Sequence, residues 1–370
     1  MSEPSRTPRL LHLDALKALA AQVIMLHHLT AYGPIAEALS GLLPVLSQWF
    51  YDKGRVAVQV FLVVGGYLSA RALSPRGGLL QGGVRGLLWR RYLRLVLPFL
   101  AAVGLVLACS ALVASTLPEL VPQRIDGLQL LSHALLLHSL LGHESLTVGA
   151  WYVAIDLQLF ALMLALLATA RGATRLPPRW RAALGPLLVG LLCAGAMLWF
   201  NRLPELDTIA PYFFGAYGLG AMVHWLSLSG RPRRWMALLL ALLLALGGVA
   251  LWLEFRERLA LALCTAALLA LWLRRPQWNA WLERHPALAA GIAAAGRHSY
   301  ALFLTHFAVL LLLNAAFDRM DPQAPLWAGV YALAAWLLCN AASLPFHRWV
   351  ERPAGRLGQL VSPAPRLAAR

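Results

Sequence analysis

Ten apolar stretches, each close to the length needed to cross a bilayer, follow one another along this chain, at residues 12–31, 55–72, 92–114, 151–170, 182–200, 211–227, 235–253, 259–273, 299–317 and 326–344. About 20 residues rising 1.5 Å each cover the roughly 30 Å of a hydrocarbon core. Lipid offers no water to backbone N–H and C=O groups, so each stretch has to satisfy its own as a helix. The predicted fold class is therefore all-α, a polytopic transmembrane helix bundle of about ten spans. It forms one domain over residues 1–350, followed by a short basic tail over 351–370. With 60% hydrophobic and 13% charged residues, an ordinary soluble enzyme is excluded.

The net charge of +16 does not point to nucleic acid, because the basic residues lie in short runs between apolar stretches rather than in one patch. They follow the positive-inside pattern. With ten spans and both termini in the cytoplasm, only Lys53, Arg55, Arg124, Arg202, Arg256, Arg258 and Arg319 of the 32 Lys and Arg residues fall outside. An eleventh apolar segment, LQLLSHALLLHSLLG at 128–142, is too short to span and carries His133 and His138. Letting it cross would invert every later loop and put the arginines of 171–181 outside. It reads instead as an interfacial or re-entrant element on the outer side. The first apolar segment carries Asp14, Lys17 and two histidines and lacks a small-residue cleavage site, so no cleavable signal is expected. Cys109, Cys193, Cys264 and Cys339 are scattered through apolar segments and read as buried, reduced structural thiols. With no soluble domain in prospect, all chemistry falls to the bundle and its edges. The two halves carry no convincing inverted repeat, which disfavours the common build of secondary transporters.

Ionisable groups at membrane depth cost roughly 2.5–3.5 kcal/mol each on insertion scales, so they mark function by default. Lys17 and His28 lie eleven residues apart, about three turns and 16 Å, on one helix face, with Asp14 a turn before Lys17. Topology places Lys17 toward the cytoplasm and His28 in the outer third. Asp156, in WYVAIDLQLF, lies about 8 Å below the outer end of its own helix, level with His28. A carboxylate and an imidazole at one level suit an oriented base, with Asp156 expected to hold the His28 ring. His27 points about 100° away and reads as structural. The cytoplasmic run ending in WRRYLRLVLPF offers Arg90, Arg91 and Arg94, of which Arg91 and Arg94 share a face and suit phosphates. Topogenic arginines at a helix end read the same way. His306 lies about two turns into the ninth stretch, and Glu351 sits between Trp349 and Arg352 at the inner surface, where it reads equally as half of an interfacial ion pair. His133, His138 and His143 are spaced by five and make a poor metal site, so no metal is expected.

Taken in order, these segments resemble the membrane acyltransferase 3 family of bacterial O-acyltransferases over nearly the whole chain. LDALKALAAQVIMLHH is similar to its basic residue, ten spacers, then histidine, which falls on Lys17 and His28. VAVQVFLVVGGYLSARAL resembles an aromatic-rich segment ending in Ser-Gly-Phe, with Gly65 in place of the serine. RRYLR matches paired arginines at Arg91 and Arg94. WYVAIDLQLF resembles a Trp-Ser-Leu-x-x-Glu segment, with Trp151 kept, Tyr152 for serine and Asp156 for glutamate. SYALFLTH and VERP match late elements at Ser299, Tyr300, His306, Glu351 and Arg352.

The resemblance implies transfer of an acyl group, most often acetyl, from cytoplasmic acyl-coenzyme A, in the usual case acetyl-CoA, to a hydroxyl of an extracytoplasmic or lipid-linked glycan such as exopolysaccharide or lipopolysaccharide. The place of action would be the bacterial cytoplasmic (inner) membrane, with the bilayer and the glycan as partners. Arg91 and Arg94, with Arg90 beside them, are implied to meet the donor, and His28 to take the acceptor's proton with Asp156 orienting it. Lys17 would steer donor charge or counter Asp14, and an acyl-histidine relay stays open. The rival from another class is a membrane transporter or flippase for a glycan or lipid, which needs no coenzyme A. An inactive relative serving as an assembly partner is a third reading.

Overall fold

Each of the ten apolar stretches is helical. The computed structural model describes residues 10–361 apart from 76, 78, 229–232 and 321–325, and among the described residues there is no strand. The chain runs through α1 (Leu11–Ala31), then folds over one end of the bundle in two short helices, α2 (Pro34–Leu42) and α3 (Pro44–Lys53). Each short helix opens on a proline, whose fixed φ and missing N–H suit a first turn. A tight turn at 54–57 leads into α4 (Val58–Leu73), then α5 (Val84–Val113), α6 (Gly127–Ala134) and α7 (Ala150–Gly172). There follow α8 (Pro178–Leu198), α9 (Ala210–Ser227), α10 (Arg233–Leu253), α11 (Glu257–Leu273), α12 (Pro276–Glu283), α13 (Pro286–Met320), α14 (Leu326–Phe346) and α15 (Arg352–Val361).

Among the described residues, seven helical stretches are long and apolar enough to cross a membrane on length and composition alone. The other three expected spans are α1, α9 and α11. α11 has only 17 residues. α1 carries His12, Asp14, Lys17, Gln22, His27 and His28. α9 is rich in glycine and aromatic residues and is buried almost all round at the centre of the bundle. A helix apolar on every side is one that packs on every side, and α9 does so through glycine. A methyl group on Gly66 of α4 would fall 1.8 Å from the Tyr217 carbonyl oxygen, and one on Gly220 of α9 would fall 1.8 Å from that of Val63. The α4 and α9 backbones therefore touch, the close approach that small residues permit in membrane bundles. Gly296 of α13 lets that helix meet α1 likewise, since a Cβ there would fall 2.4 Å from that of Asp14.

Three expectations change. α5 and α13 begin well before the apolar stretches that announced them, at Val84 and Pro286, so their basic residues lie within helices rather than ahead of them. The segment read as a tail is helical over 352–361, and α15 packs on α5, with Gly358 against the Arg90 carbonyl; residues 362–370 lie outside the described residues. Cys109, Cys193 and Cys339 are buried, but Cys264 is exposed on the outside of the bundle, where an apolar thiol faces apolar surroundings at little cost. The first half of the eleventh segment forms α6, capped by the Asp126 carboxylate accepting from the Gln129 N–H at 2.6 Å, and the rest runs in turns, with Leu128, Leu130, Leu131 and Leu135 exposed. That leucine face on so short a helix suits an element lying in the interface.

Candidate active site

Two cavities open toward opposite ends of the bundle. The one at the Lys17 end has a volume of about 640 Å³ and takes side chains from α1, α4, α5, α7, α13 and α15. Seven basic side chains line it, Lys17, Arg90, Arg91, Arg94, Arg297, Arg352 and Arg356, against the two carboxylates of Asp156 and Glu351. Its centre is an ion pair between α5 and α7. Nη2 of Arg91 donates to both oxygens of Asp156, at 2.7 and 2.6 Å, and the guanidinium lies 5.3 Å over the Phe160 ring. Lys17 pairs with Asp14 at 2.9 Å, one turn away, and Glu351 with His347 at 2.8 Å. The Tyr300 hydroxyl donates to the Leu95 carbonyl at 3.2 Å and that of Ser299 to Gly296 at 3.0 Å. Two substitutions noted in the sequence meet here. Gly65 and Tyr152 both line the cavity, and a Cβ on Gly65 would lie 3.7 Å from Asp156 Oδ1, so the absent serine would have stood beside the carboxylate.

The cavity at the His28 end has a volume of about 510 Å³. His28 Nδ1 lies 2.7 Å from His306 Nε2, and the rings stack 4.9 Å apart at 9°. His306 Nδ1 lies 3.1 Å from the Leu302 carbonyl oxygen. A carbonyl only accepts, so His306 carries its proton on Nδ1 and presents a bare Nε2. His28 must then donate from Nδ1, which leaves its Nε2 as the basic nitrogen in the neutral form. Trp151 of α7 lines the same cavity and stacks on Phe213, centroids 5.7 Å apart. His27 also lines it, with Nδ1 donating to the Phe50 carbonyl at 3.1 Å.

Phe303 lines both cavities. Its ring packs edge-on against Tyr152 at 5.3 Å and Phe61 at 6.3 Å, and these three aromatic rings divide one space from the other. Gly149 makes room for it. That residue holds a left-handed φ of 77°, and a Cβ there would fall 2.6 Å from Phe303 Cζ.

A family model described as an acyltransferase domain matches residues 10–343, nearly the whole chain. The chain belongs to the acyltransferase 3 family. No curated protein and no solved structure matches it significantly. The acyltransferase is thus a multi-pass membrane protein whose membership rests on the sequence as a whole, while its site is read from the geometry above.

The structure overturns one expected pairing. Asp156 does not hold His28, because its carboxylate is taken by Arg91, and among the described residues the side-chain partner of His28 is His306. Equal depth fixes height but not the direction a side chain points, and Asp156 points toward α5. His306 was placed too near the cytoplasm because depth was counted from residue 299. The helix starts at Pro286, so His306 lies some 30 Å along it and reaches the level of His28. Arg90, Arg91, Arg94, Lys17, Ser299, Tyr300, Glu351 and Arg352 do gather around one cavity, and Trp151 joins His28 at the other. Phe303, Arg297 and Arg356 were missed. Phe303 carries no polar signal, and the two arginines read only as loop and tail charge.

Proposed function

We propose that the acyltransferase moves an acyl group, most often acetyl, from acyl-coenzyme A bound at the Lys17 end to a hydroxyl of a glycan at the His28 end. The single observation that carries this reading is the pair of cavities, one strongly basic and one built around an oriented histidine, meeting at Phe303. In this reading the ten helical stretches cross the bacterial inner membrane, with both termini and the Lys17 end in the cytoplasm, where acyl-coenzyme A is made.

The donor's phosphates suit Arg90, Arg94, Arg297 and Arg352, with Lys17 on the same cavity wall. Arg91 is a positioning residue, since its Nη2 is held by both oxygens of Asp156. Trp151 and Phe213 offer an aromatic face for a sugar ring. His28 Nε2 takes the proton of the acceptor hydroxyl as that oxygen attacks the thioester carbonyl. The carbon–sulfur bond then breaks, the ester forms, and the coenzyme A thiolate leaves with the proton that His28 Nε2 had taken. His306 keeps the His28 proton on Nδ1 throughout.

His28→Ala should abolish passage of label from acetyl-coenzyme A into glycan while leaving the protein inserted at its normal level. Retained transfer refutes the reading. His306→Ala should lower kcat far more than it changes KM. His306→Gln, whose amide oxygen can accept from His28, should recover part of that loss.

A further inference from the structure

Seven basic residues fall outside in the ten-span reading, against the charge bias that sets topology, and four of them have partners within the protein. Lys53 pairs with Glu257, and Arg202 with Glu254 at 2.8 Å. Arg256 donates to the Asn201 side chain and the Met197 carbonyl, at 2.9 and 2.8 Å, and Arg319 to the Thr116 hydroxyl at 3.0 Å. Arg124 is exposed on the chain ahead of α6. The remaining two, Arg55 and Arg258, line the His28 cavity, and among the described residues neither is paired with a carboxylate.

Packing sets these two between the base and the aromatic platform. The turn at 54–57 lies directly on α1, since a Cβ on Gly54 would fall 2.6 Å from that of His27, the neighbour of the base. Arg55 follows that contact. The Lys53–Glu257 pair draws the first turn of α11 to the same place, and Arg258 is the next residue along. On its other side Arg258 Nη1 donates to the Tyr212 hydroxyl at 3.4 Å, the Tyr212 ring meets Phe213 at 4.8 Å, and Phe213 stacks on Trp151. A sugar ring resting on Trp151 and Phe213, with one hydroxyl at His28, therefore has two guanidiniums beside it. Among the described residues Asp207 is the one carboxylate on that wall, so the cavity stays positive even with its histidines neutral.

Resting on the acyl-transfer reading above, we infer that the acceptor is an acidic sugar of the uronate class, whose carboxylate is held by Arg55 and Arg258 while a hydroxyl of the same ring meets His28. A planar carboxylate matches a guanidinium fork, which a neutral sugar would leave unused. Lipid head groups are the other anions that outer arginines meet, and the place of both side chains on the wall of the His28 cavity favours the sugar.

Methyl glucuronide, with methyl glucuronamide as its neutral match, tests this on the full-length protein in nanodiscs of phosphatidylcholine. The glucuronide should bind saturably and at least roughly tenfold tighter than the amide, as one charge-assisted contact warrants. Arg55→Gln with Arg258→Gln should erase that preference. Asp207→Asn, which removes the opposing carboxylate, should widen it, a gain that misfolding cannot mimic. Comparable binding of the two probes, or no saturable binding of the glucuronide, overturns the inference on the unaltered protein, however the variants fold. So does loss of the preference in phosphatidylglycerol nanodiscs, compared at the same high salt to screen the surface potential, since the arginines would then belong to lipid head groups. Label from acetyl-coenzyme A is followed into both probes in parallel. Equal transfer to both defeats this inference alone, whereas selective glucuronide binding with no transfer to any acceptor defeats the acyl-transfer reading.

Discussion

Removing one partner of the Arg91–Asp156 pair should destabilise the acyltransferase far more than removing both in proportion. The two side chains are 20% and 7% exposed and meet at 2.6 Å. With charge centres roughly 4 Å apart and an effective dielectric of about 20, their attraction is ~4 kcal/mol. Arg91→Gln strands a carboxylate that has little access to water, a loss of about 3–5 kcal/mol. Asp156→Asn leaves a guanidinium that can still turn into its cavity, so its cost falls at the lower end of that range. The double variant keeps a neutral hydrogen-bonding pair and should cost less than the sum by about 2–4 kcal/mol. Unfolding in mixed detergent micelles, followed for the four proteins of the cycle, gives the coupling directly. A coupling below ~0.5 kcal/mol would refute the reasoning, since independent sites add to within that margin. The same cycle run on His28→Ala with Asp156→Asn should come out additive, because those two side chains are not partners.

Other outcomes follow from single positions. Gly66→Ala and Gly220→Ala each drive a methyl group into a carbonyl of the facing helix. Each should cost about 3 kcal/mol or more and sharply lower the amount of folded protein in membranes. Gly104→Ala, with open space around it, should be neutral or gain up to ~1 kcal/mol of helix stability in the same assay. Gly149→Ala has to place a Cβ both at φ 77° and against Phe303, so it should lose about 1–2 kcal/mol by thermal unfolding and lower kcat with little change in donor KM. His138, fully buried and stacked 4.2 Å from His133, has its pKa pushed from 6.5 down to about 4 by burial, then by His133 and His143. A group depressed in the folded state contributes its stability in full above pH 6.5 and loses it as pH falls through 4, here up to about 3 kcal/mol. Limited proteolysis across 135–145 should therefore quicken between pH 6.5 and 4, and His138→Phe should reduce that acid sensitivity, leaving the share of His133, whose pKa burial also lowers.

Much of this was legible from the chain. The backbone's need for internal bonding announces helices wherever apolar residues run to bilayer length, and every such stretch is helical. The basic cluster was legible too, because arginines one turn apart in a chain with only 13% charged residues stand out. Their neighbours were not. Arg297 and Arg356 come to the cavity from distant parts of the chain, through packing that local sequence does not specify. The histidine pair failed for a subtler reason. Hydropathy marks where a helix meets lipid, not where it begins, and α13 runs thirteen residues before its apolar stretch. The error in origin became an error in depth, and it separated His306 from His28. Asp156 shows the complementary limit: its level was right, but the partner depends on which helices flank α7. The pair at 133 and 138 does not share a helix face, yet the chain turns after Ala134 and stacks the rings.

The contact at Gly296 has a wider meaning. It presses α13 onto α1 at Asp14, so the two longest-reaching polar helices share one fixed origin, from which Lys17 and His28 are measured on one and Tyr300, Phe303 and His306 on the other. Adding or deleting a single residue above that origin would turn everything beyond it by about 100°. The donor grip, the aromatic partition and the base are therefore bound to one phase. Relatives with the same chemistry can diverge freely in their loops, but insertions within these two rods are tolerated only in whole turns made on both together.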